Sequence, residues 1–117
     1  MWYNIITIKI KKRKVDIIMK HKYEEIQKLK EMLDENGIPN DFCPMENWVE
    51  GYHIYYPNRK NRVCSIIMFP FSYGFEDGKL EIMGLLTEEE SELDEVVGYL
   101  SAEEVFRRIV DFEKKKS

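Results

Sequence analysis

The chain has 117 residues, of which 44% are hydrophobic, 34% charged and 13% aromatic. A chain of this length and composition can bury the core of one ordinary domain. Its longest apolar runs, near residues 5–8 and 65–71, fall far short of the ~20 residues that a membrane-spanning helix needs. The two cysteines cannot form a disulfide scaffold. The composition therefore excludes membrane-spanning and disulfide-rich classes.

Charge is distributed unevenly along the chain. Eighteen basic and 22 acidic side chains give a net charge of −4. Residues 1–18 hold five basic residues and one acidic residue, so residues 19–117 hold 13 basic and 21 acidic ones. A protein that grips the nucleic-acid backbone over a broad face needs the opposite sign. The acidic body argues against nucleic acid as a partner and suits a soluble cytoplasmic protein, or one that meets a basic surface.

The first 18 residues differ in character from the rest. Their β-branched stretch precedes their basic run, which is the reverse of a secretory signal. Residues Arg13-Lys14-Val15 can be encoded by a purine-rich ribosome-binding sequence just before Met19. Two hypotheses follow: residues 1–18 are a translated non-native leader, or they form an extra N-terminal strand. In either case, residues 19–117 are expected to form a single domain.

The first element of that domain is a helix over residues 22–36. Apolar side chains recur there at helical spacing. Asn36-Gly37 supplies a left-handed end, and Pro39 prevents continuation. Residues 39–47 are rich in turn-forming residues and are predicted to be a loop.

A β-hairpin is predicted over residues 51–69. Pairing position i with position 119 − i places His53, Tyr55 and Cys64 on one face. Both faces of the hairpin are largely apolar, so we expect it at the centre of the fold, with helices on one side and partial cover on the other.

The remaining segments complete an α+β pattern. An aromatic loop follows the hairpin, and Leu80–Leu86 fits a strand better than a short helix because Gly84 weakens a helix. Residues 87–95 read as an acidic connector, residues 96–100 as a strand and residues 102–115 as a helix capped by Ser101 and Glu104. The sequence predicts a small antiparallel sheet built on the central hairpin and packed by an N-terminal and a C-terminal helix.

Five stretches of the chain carry a distinctive wording: LDENGIP (33–39), GYHIYYP (51–57), VCSII (63–67), FSYGFEDGKLEIMGLLTEEE (71–90) and VVGYLSAEEVFRRI (96–109). They cover most of residues 22–110 and leave out residues 1–18. With these stretches the chain resembles a group of small uncharacterised proteins from phages and prophages of Firmicutes. The resemblance implies a phage or mobile-element origin, a bacterial host cytoplasm and no established activity.

Residues able to carry catalysis or bind metal are present but poorly spaced. Cys43, His53, Cys64 and His21 are suitable zinc ligands, yet they lack metal-site spacing. Cys64 with His53 would give a nucleophile and its base, but a cysteine within a strand more often packs in the core. We therefore predict no catalytic residue, metal or cofactor.

Two further clusters are interpreted as solvated turns. Glu76, Asp77 and Glu81 lie around two glycines and lack the spacing of a calcium loop. A basic hairpin tip could meet a phosphate, with nearby aromatic residues available for stacking. The residues of the tip are Arg59, Lys60 and Arg62, and the aromatic ones are Trp48, Tyr55 and Tyr56.

The strongest binding candidates are an aromatic loop and an acidic run. The aromatic residues Phe71, Tyr73 and Phe75 continue from Phe69 out of a strand, and exposed aromatic clusters mark interfaces. The acidic run includes Glu88, Glu89 and Glu90 within residues 88–95, and it could meet a basic groove.

Three functions follow from these features. The leading one is a non-enzymatic protein-binding module that holds a host or phage protein, for example to antagonise a host defence system. The second is a small-molecule-binding protein or small enzyme that uses the hairpin face of His53, Tyr55 and Cys64. The third is a homo-oligomeric scaffold in which the aromatic loop contacts its own copy.

Overall fold

An antiparallel sheet of five strands, in the order β1-β2-β3-β4-β5, carries two long helices on one face. The computed structural model describes residues 22–116. The predicted α+β fold class is confirmed. The predicted leader or extra strand at residues 1–18, and His21, lie outside the described residues. The elements are α1 (Glu24–Glu35), β1 (Asp41–Pro44), β2 (Tyr52–Tyr56), β3 (Cys64–Met68), a 3-10 turn (Phe75–Asp77), β4 (Leu80–Met83), α2 (Glu88–Leu93), β5 (Val96–Leu100) and α3 (Ala102–Lys116).

Helix α1 ends where the sequence predicts. Gly37 takes a left-handed conformation with φ +64°. The N–H of Ile38 donates to the carbonyl of Leu33 at 2.9 Å, and the N–H of Gly37 donates to that of Asp34 at 3.1 Å. This pair of bonds is a Schellman motif, which satisfies the last carbonyls of the helix. It also folds Ile38 back over Leu33.

The core lies between the sheet and the pair of helices α1 and α3. Each helix turns one apolar stripe onto the inner face of the sheet, which agrees with the period of its apolar residues. The predicted central position of the β2–β3 hairpin is confirmed by the strand order. The buried core residues are Tyr23, Ile26, Leu29, Leu33, Ile54, Tyr56, Cys64, Ile66, Met68, Leu80, Ile82, Leu100, Ala102, Val105 and Ile109.

The predicted hairpin register is wrong by one residue. Tyr52 pairs with Met68 and Tyr56 pairs with Cys64, so paired positions sum to 120 rather than 119. A slip of one residue moves a whole strand to the other face. As a result Cys64 lies on the inner face, away from His53 and Tyr55. Because both faces of the hairpin are largely apolar, only the packing of the inner face on the helices selects the register.

Two predicted irregular segments contain regular structure. The predicted loop at residues 39–47 includes β1, which pairs with β2 at the edge of the sheet. The predicted connector at residues 87–95 includes α2, a helix of six residues that begins with a capping box between Thr87 and Glu90. A helix of six residues has too few apolar side chains at helical spacing for the sequence to predict it. The strand prediction for Leu80–Leu86 is confirmed over β4.

Gly78 precedes β4 and Gly84 follows it, and the two positions allow a matched test of packing around this strand. Both have positive φ, at +97° and +65°. A Cβ at Gly84 would lie 2.2 Å from the carbonyl oxygen of Val63, whereas a Cβ at Gly78 would meet nothing within 4 Å. We expect Gly84→Ala to lower the free energy of unfolding by about 2 kcal/mol more than Gly78→Ala does, as measured by urea denaturation. Equal losses would contradict the close approach at Gly84.

Candidate functional site

The aromatic loop after β3 exposes two of its three predicted contact residues. The side chains of Phe71 and Tyr73 are 88% and 54% exposed. Phe75 instead lies half-buried against Tyr23, with ring centroids 5.7 Å apart. Phe75 therefore packs at the edge of the core, and it also lines the cavity beside Phe71 and Tyr73.

Tyr99 on β5 joins the exposed pair, and sequence reasoning missed it. Tyr99 is 62% exposed and has a positive φ of +61° within an irregular part of the β4–β5 ladder. Phe71, Tyr73 and Tyr99 line one shallow cavity of about 280 Å³, and we call these three residues the aromatic patch. Gly98 is the feature of the sequence that could have indicated this arrangement, because a glycine inside a strand marks a bulge or a close approach of another segment. A Cβ at Gly98 would overlap the Cβ of Tyr73 at 2.2 Å.

Hydrogen bonds fix the backbone beneath the aromatic patch. The hydroxyl of Ser72 donates to the carbonyl of Phe69 at 2.7 Å and accepts from its N–H at 3.0 Å. The N–H of Tyr73 donates to the carboxylate of Glu81 at 2.9 Å, and the N–H of Tyr99 donates to the carbonyl of Tyr73 at 3.2 Å. The loop thus holds its exposed rings on an ordered frame.

The three carboxylates around this loop are separated by the fold. Glu76 and Asp77 are exposed in the 3-10 turn, as a solvated turn predicts. Glu81 is buried on β4, and its carboxylate accepts a hydrogen bond from the N–H of Tyr73. A shared acid–base or cation site for the three side chains is not formed.

Only part of the predicted acidic run is available for contact. Glu88 and Glu89 are exposed in the first turn of α2. The carboxylate of Glu90 instead accepts hydrogen bonds from Nη1 and Nη2 of Arg108, at 2.7 and 2.8 Å, and from the N–H of Thr87. The Arg108 hydrogen bonds, with a further one from Thr87, lower the pKa of Glu90 to about 2. Glu90 therefore attaches α2 to α3.

The hairpin face predicted for ligand binding is divided between the two sides of the sheet. Cys64 is buried on the inner side, and its thiol donates to the carbonyl of Gly84 at 3.7 Å. Burial raises the pKa of Cys64 to about 12, so it is neither reachable nor ionised as a nucleophile must be. His53 and Tyr55 stay together on the outer side, with the Tyr55 hydroxyl 3.4 Å from Nε2 of His53.

The register places Cys43, not Cys64, opposite His53. Burial raises the pKa of the Cys43 thiol, which works against a thiolate nucleophile. Burial, together with the charge of Arg59, lowers the pKa of His53. The pair is a neutral thiol beside a neutral imidazole at pH 7, and this combination does not form an activated nucleophile.

An open cleft of about 500 Å³ lies where the hairpin turn meets the loop before β2. We call it the arginine cleft. It is lined by Met45, Glu46, Asn47, His53, Tyr55, Arg59 and Arg62. Of the basic hairpin tip, the structure brings Arg59 and Arg62 to Tyr55, with guanidinium carbons 5.9 and 5.0 Å from the ring centroid. Lys60 does not line the cleft, and Tyr56 lies in the core.

Within residues 22–116, no helix is long and apolar enough to cross a membrane. Over the same range, no group of three or more His, Cys, Asp or Glu side chains is arranged to hold a metal ion. Comparison with protein-family models, with curated proteins and with solved structures gives no match to this chain. The two surfaces that bear on function are the aromatic patch and the arginine cleft.

The Glu90–Arg108 pair predicts a specific pH dependence of stability. Because the folded-state pKa of Glu90 lies below its ordinary value of 4.5, the pair stabilises the fold at neutral pH and loses this effect as the pH falls from about 5 toward 2. We expect Glu90→Gln to lower the free energy of unfolding by about 2 kcal/mol at pH 7, and by less than half of that near pH 3.

Urea denaturation at the two pH values measures both quantities. Glu89→Gln is the matched control, since Glu89 is an exposed neighbour on the same helix turn and should change stability by less than about 0.5 kcal/mol. If Glu90→Gln lowered the free energy of unfolding equally at both pH values, an ionised Glu90 would not be the stabilising group.

Proposed function

We propose that this protein is a non-enzymatic protein-binding module of phage or mobile-element origin. The observation that carries the proposal is the aromatic patch, in which three exposed rings stand on a hydrogen-bonded backbone. Phe71, Tyr99 and Tyr73 are 88%, 62% and 54% exposed, so the three rings together present apolar area to solvent. Clustered exposed aromatic residues are typical of binding sites on soluble proteins.

The ordered backbone beneath the aromatic patch lowers the entropy cost of binding compared with that of a mobile loop. Association has to offset the entropy lost when surface side chains and loops become fixed. Ser72 fixes the backbone before Tyr73 through its bond with Phe69, and Glu81 fixes Tyr73 itself by accepting from its N–H. Gly98, with no side chain, lets β5 approach Tyr73 closely. Little further ordering is then needed when a partner covers the rings.

Exposed acidic side chains in the aromatic loop and elsewhere on the chain indicate the kind of partner. Glu76 and Asp77 are exposed in the loop that carries Phe71 and Tyr73, and Glu88 and Glu89 are exposed on α2. The chain as a whole is acidic. A complementary surface has an apolar pocket for the rings and basic residues at its rim. The proposed partner is a host or phage protein with such a surface in the bacterial cytoplasm, and antagonism of a host defence system is one concrete form of this function.

A capture experiment tests the proposal with matched variants. The full chain with a C-terminal tag is immobilised and incubated with a lysate of a Firmicute host, and bound proteins are identified by mass spectrometry. We expect one stoichiometric partner, with the affinity reduced at least about tenfold in Phe71→Ala/Tyr73→Ala because central aromatic contacts dominate interfaces. Both side chains are exposed, so the free energy of unfolding should change by less than about 1 kcal/mol.

Trp48→Ala is the control for this experiment. Trp48 is fully exposed on the loop between β1 and β2, so it tests whether any exposed aromatic side chain suffices. Retention of the partner by Trp48→Ala and its loss in the double variant would support the assignment. Equal loss in both, or retention in both, would contradict it. Light scattering that shows a dimer of the wild type, dissociated by the double variant, would favour a homo-oligomeric scaffold instead.

A further inference from the structure

The arginine cleft has a net positive charge, whereas residues 19–117 as a whole hold 13 basic and 21 acidic side chains. Two arginines and one glutamate line it, and the remaining lining residues are uncharged at pH 7 once the lowered pKa of His53 is taken into account. The chain as a whole has a net charge of −4. An anion in solution is therefore repelled by most of the acidic body and attracted to this cleft.

The two guanidiniums are held in place by different contacts. Arg59 donates from its backbone N–H to the carboxylate of Asp41 at 2.8 Å, and its side chain forms an ion pair with Glu46. Arg62 lies over the ring of Tyr55, and among the described residues it has no carboxylate partner. Stacking on an aromatic ring restrains a guanidinium while leaving its N–H donors free at the edge.

Tyr55 and His53 form the floor beneath these charges. Both side chains are more than 90% buried, and their rings lie 4.5 Å apart. Their hydroxyl and imidazole groups face each other, which satisfies them without using the arginine N–H groups. The floor is rigid because β2 is paired on both sides, with β1 and with β3. The cleft thus has a fixed aromatic base and a rim of guanidinium donors.

We propose that the arginine cleft binds the phosphate group of a small phosphomonoester. Arg62 supplies an unpaired guanidinium, and Arg59 supplies a second one that Glu46 occupies in the absence of ligand. A phosphate dianion bears more charge than the carboxylate of Glu46 and accepts bidentate hydrogen bonds from guanidinium groups. Binding would therefore exchange the internal ion pair for a bridge between the two arginines. This site is separate from the aromatic patch and does not depend on the proposed function.

Competition between Glu46 and phosphate for Arg59 can be measured directly. The full chain, labelled with ¹⁵N, is titrated with inorganic phosphate at constant ionic strength, and the backbone and arginine side-chain signals are followed by NMR. We expect saturable shifts confined to the cleft, with a dissociation constant on the order of 1 mM. Arg62→Ala should weaken binding by at least about fivefold, whereas Glu46→Gln should strengthen it by about threefold because it frees Arg59.

Lys60→Ala is the matched control, since it removes the same charge from the same turn but from outside the cleft. A change of less than about twofold is expected for Lys60→Ala. Equal weakening by Lys60→Ala and Arg62→Ala would overturn the proposal in favour of general attraction to the turn. Absence of saturable shifts, or weaker binding in Glu46→Gln, would also overturn it. The spectrum of each variant shows whether the fold is retained.

Discussion

Burial of one face of the sheet beneath α1 and α3 is the constraint on which the other features depend. The inner face presents Ile54, Tyr56, Cys64 and Ile66 to the two helices. Once these side chains are buried together, the pairing of β2 with β3 is determined, because the side chains of a strand alternate between its faces. His53 and Tyr55 must then lie on the outer side. The same packing that removes Cys64 from solvent creates the floor of the arginine cleft.

The acidic side chains of this protein divide into structural and solvent-exposed groups. Glu81 accepts a hydrogen bond that holds the aromatic loop, and Glu90 accepts hydrogen bonds that hold α2. Glu88 and Glu89 remain in water. A carboxylate that accepts charged or multiple hydrogen bonds is stabilised in its ionised form, whereas an exposed carboxylate is screened by solvent and salt. A charge run in the sequence therefore overstates the charge that is available to a partner.

Two surfaces of different chemistry result from this arrangement. The aromatic patch is built from the β3–β4 loop and the irregular end of β5, and it is apolar with acidic residues in the same loop. The arginine cleft is built from the β2–β3 turn and the loop before β2, and it is polar and basic. The first suits an extended contact with a protein, because large rings contribute through buried area. The second suits a compact anion, because guanidinium groups act through charge and directed hydrogen bonds. Their elements differ, so each surface can be altered without changing the other.

Local signals in the sequence determined the α+β class, both long helices, the β2–β3 hairpin and the strands β4 and β5. The end of α1 at Gly37 and the strand at 96–100 depend on backbone preferences and apolar periods, which are properties of neighbouring residues. Tertiary packing alone decided the hairpin register, the edge strand β1 and the place of Tyr99 in the aromatic patch. Each of these depends on contacts between residues far apart in the chain. Where both faces of a strand are apolar, local pattern cannot select the buried one, and only the area covered by the helices does so.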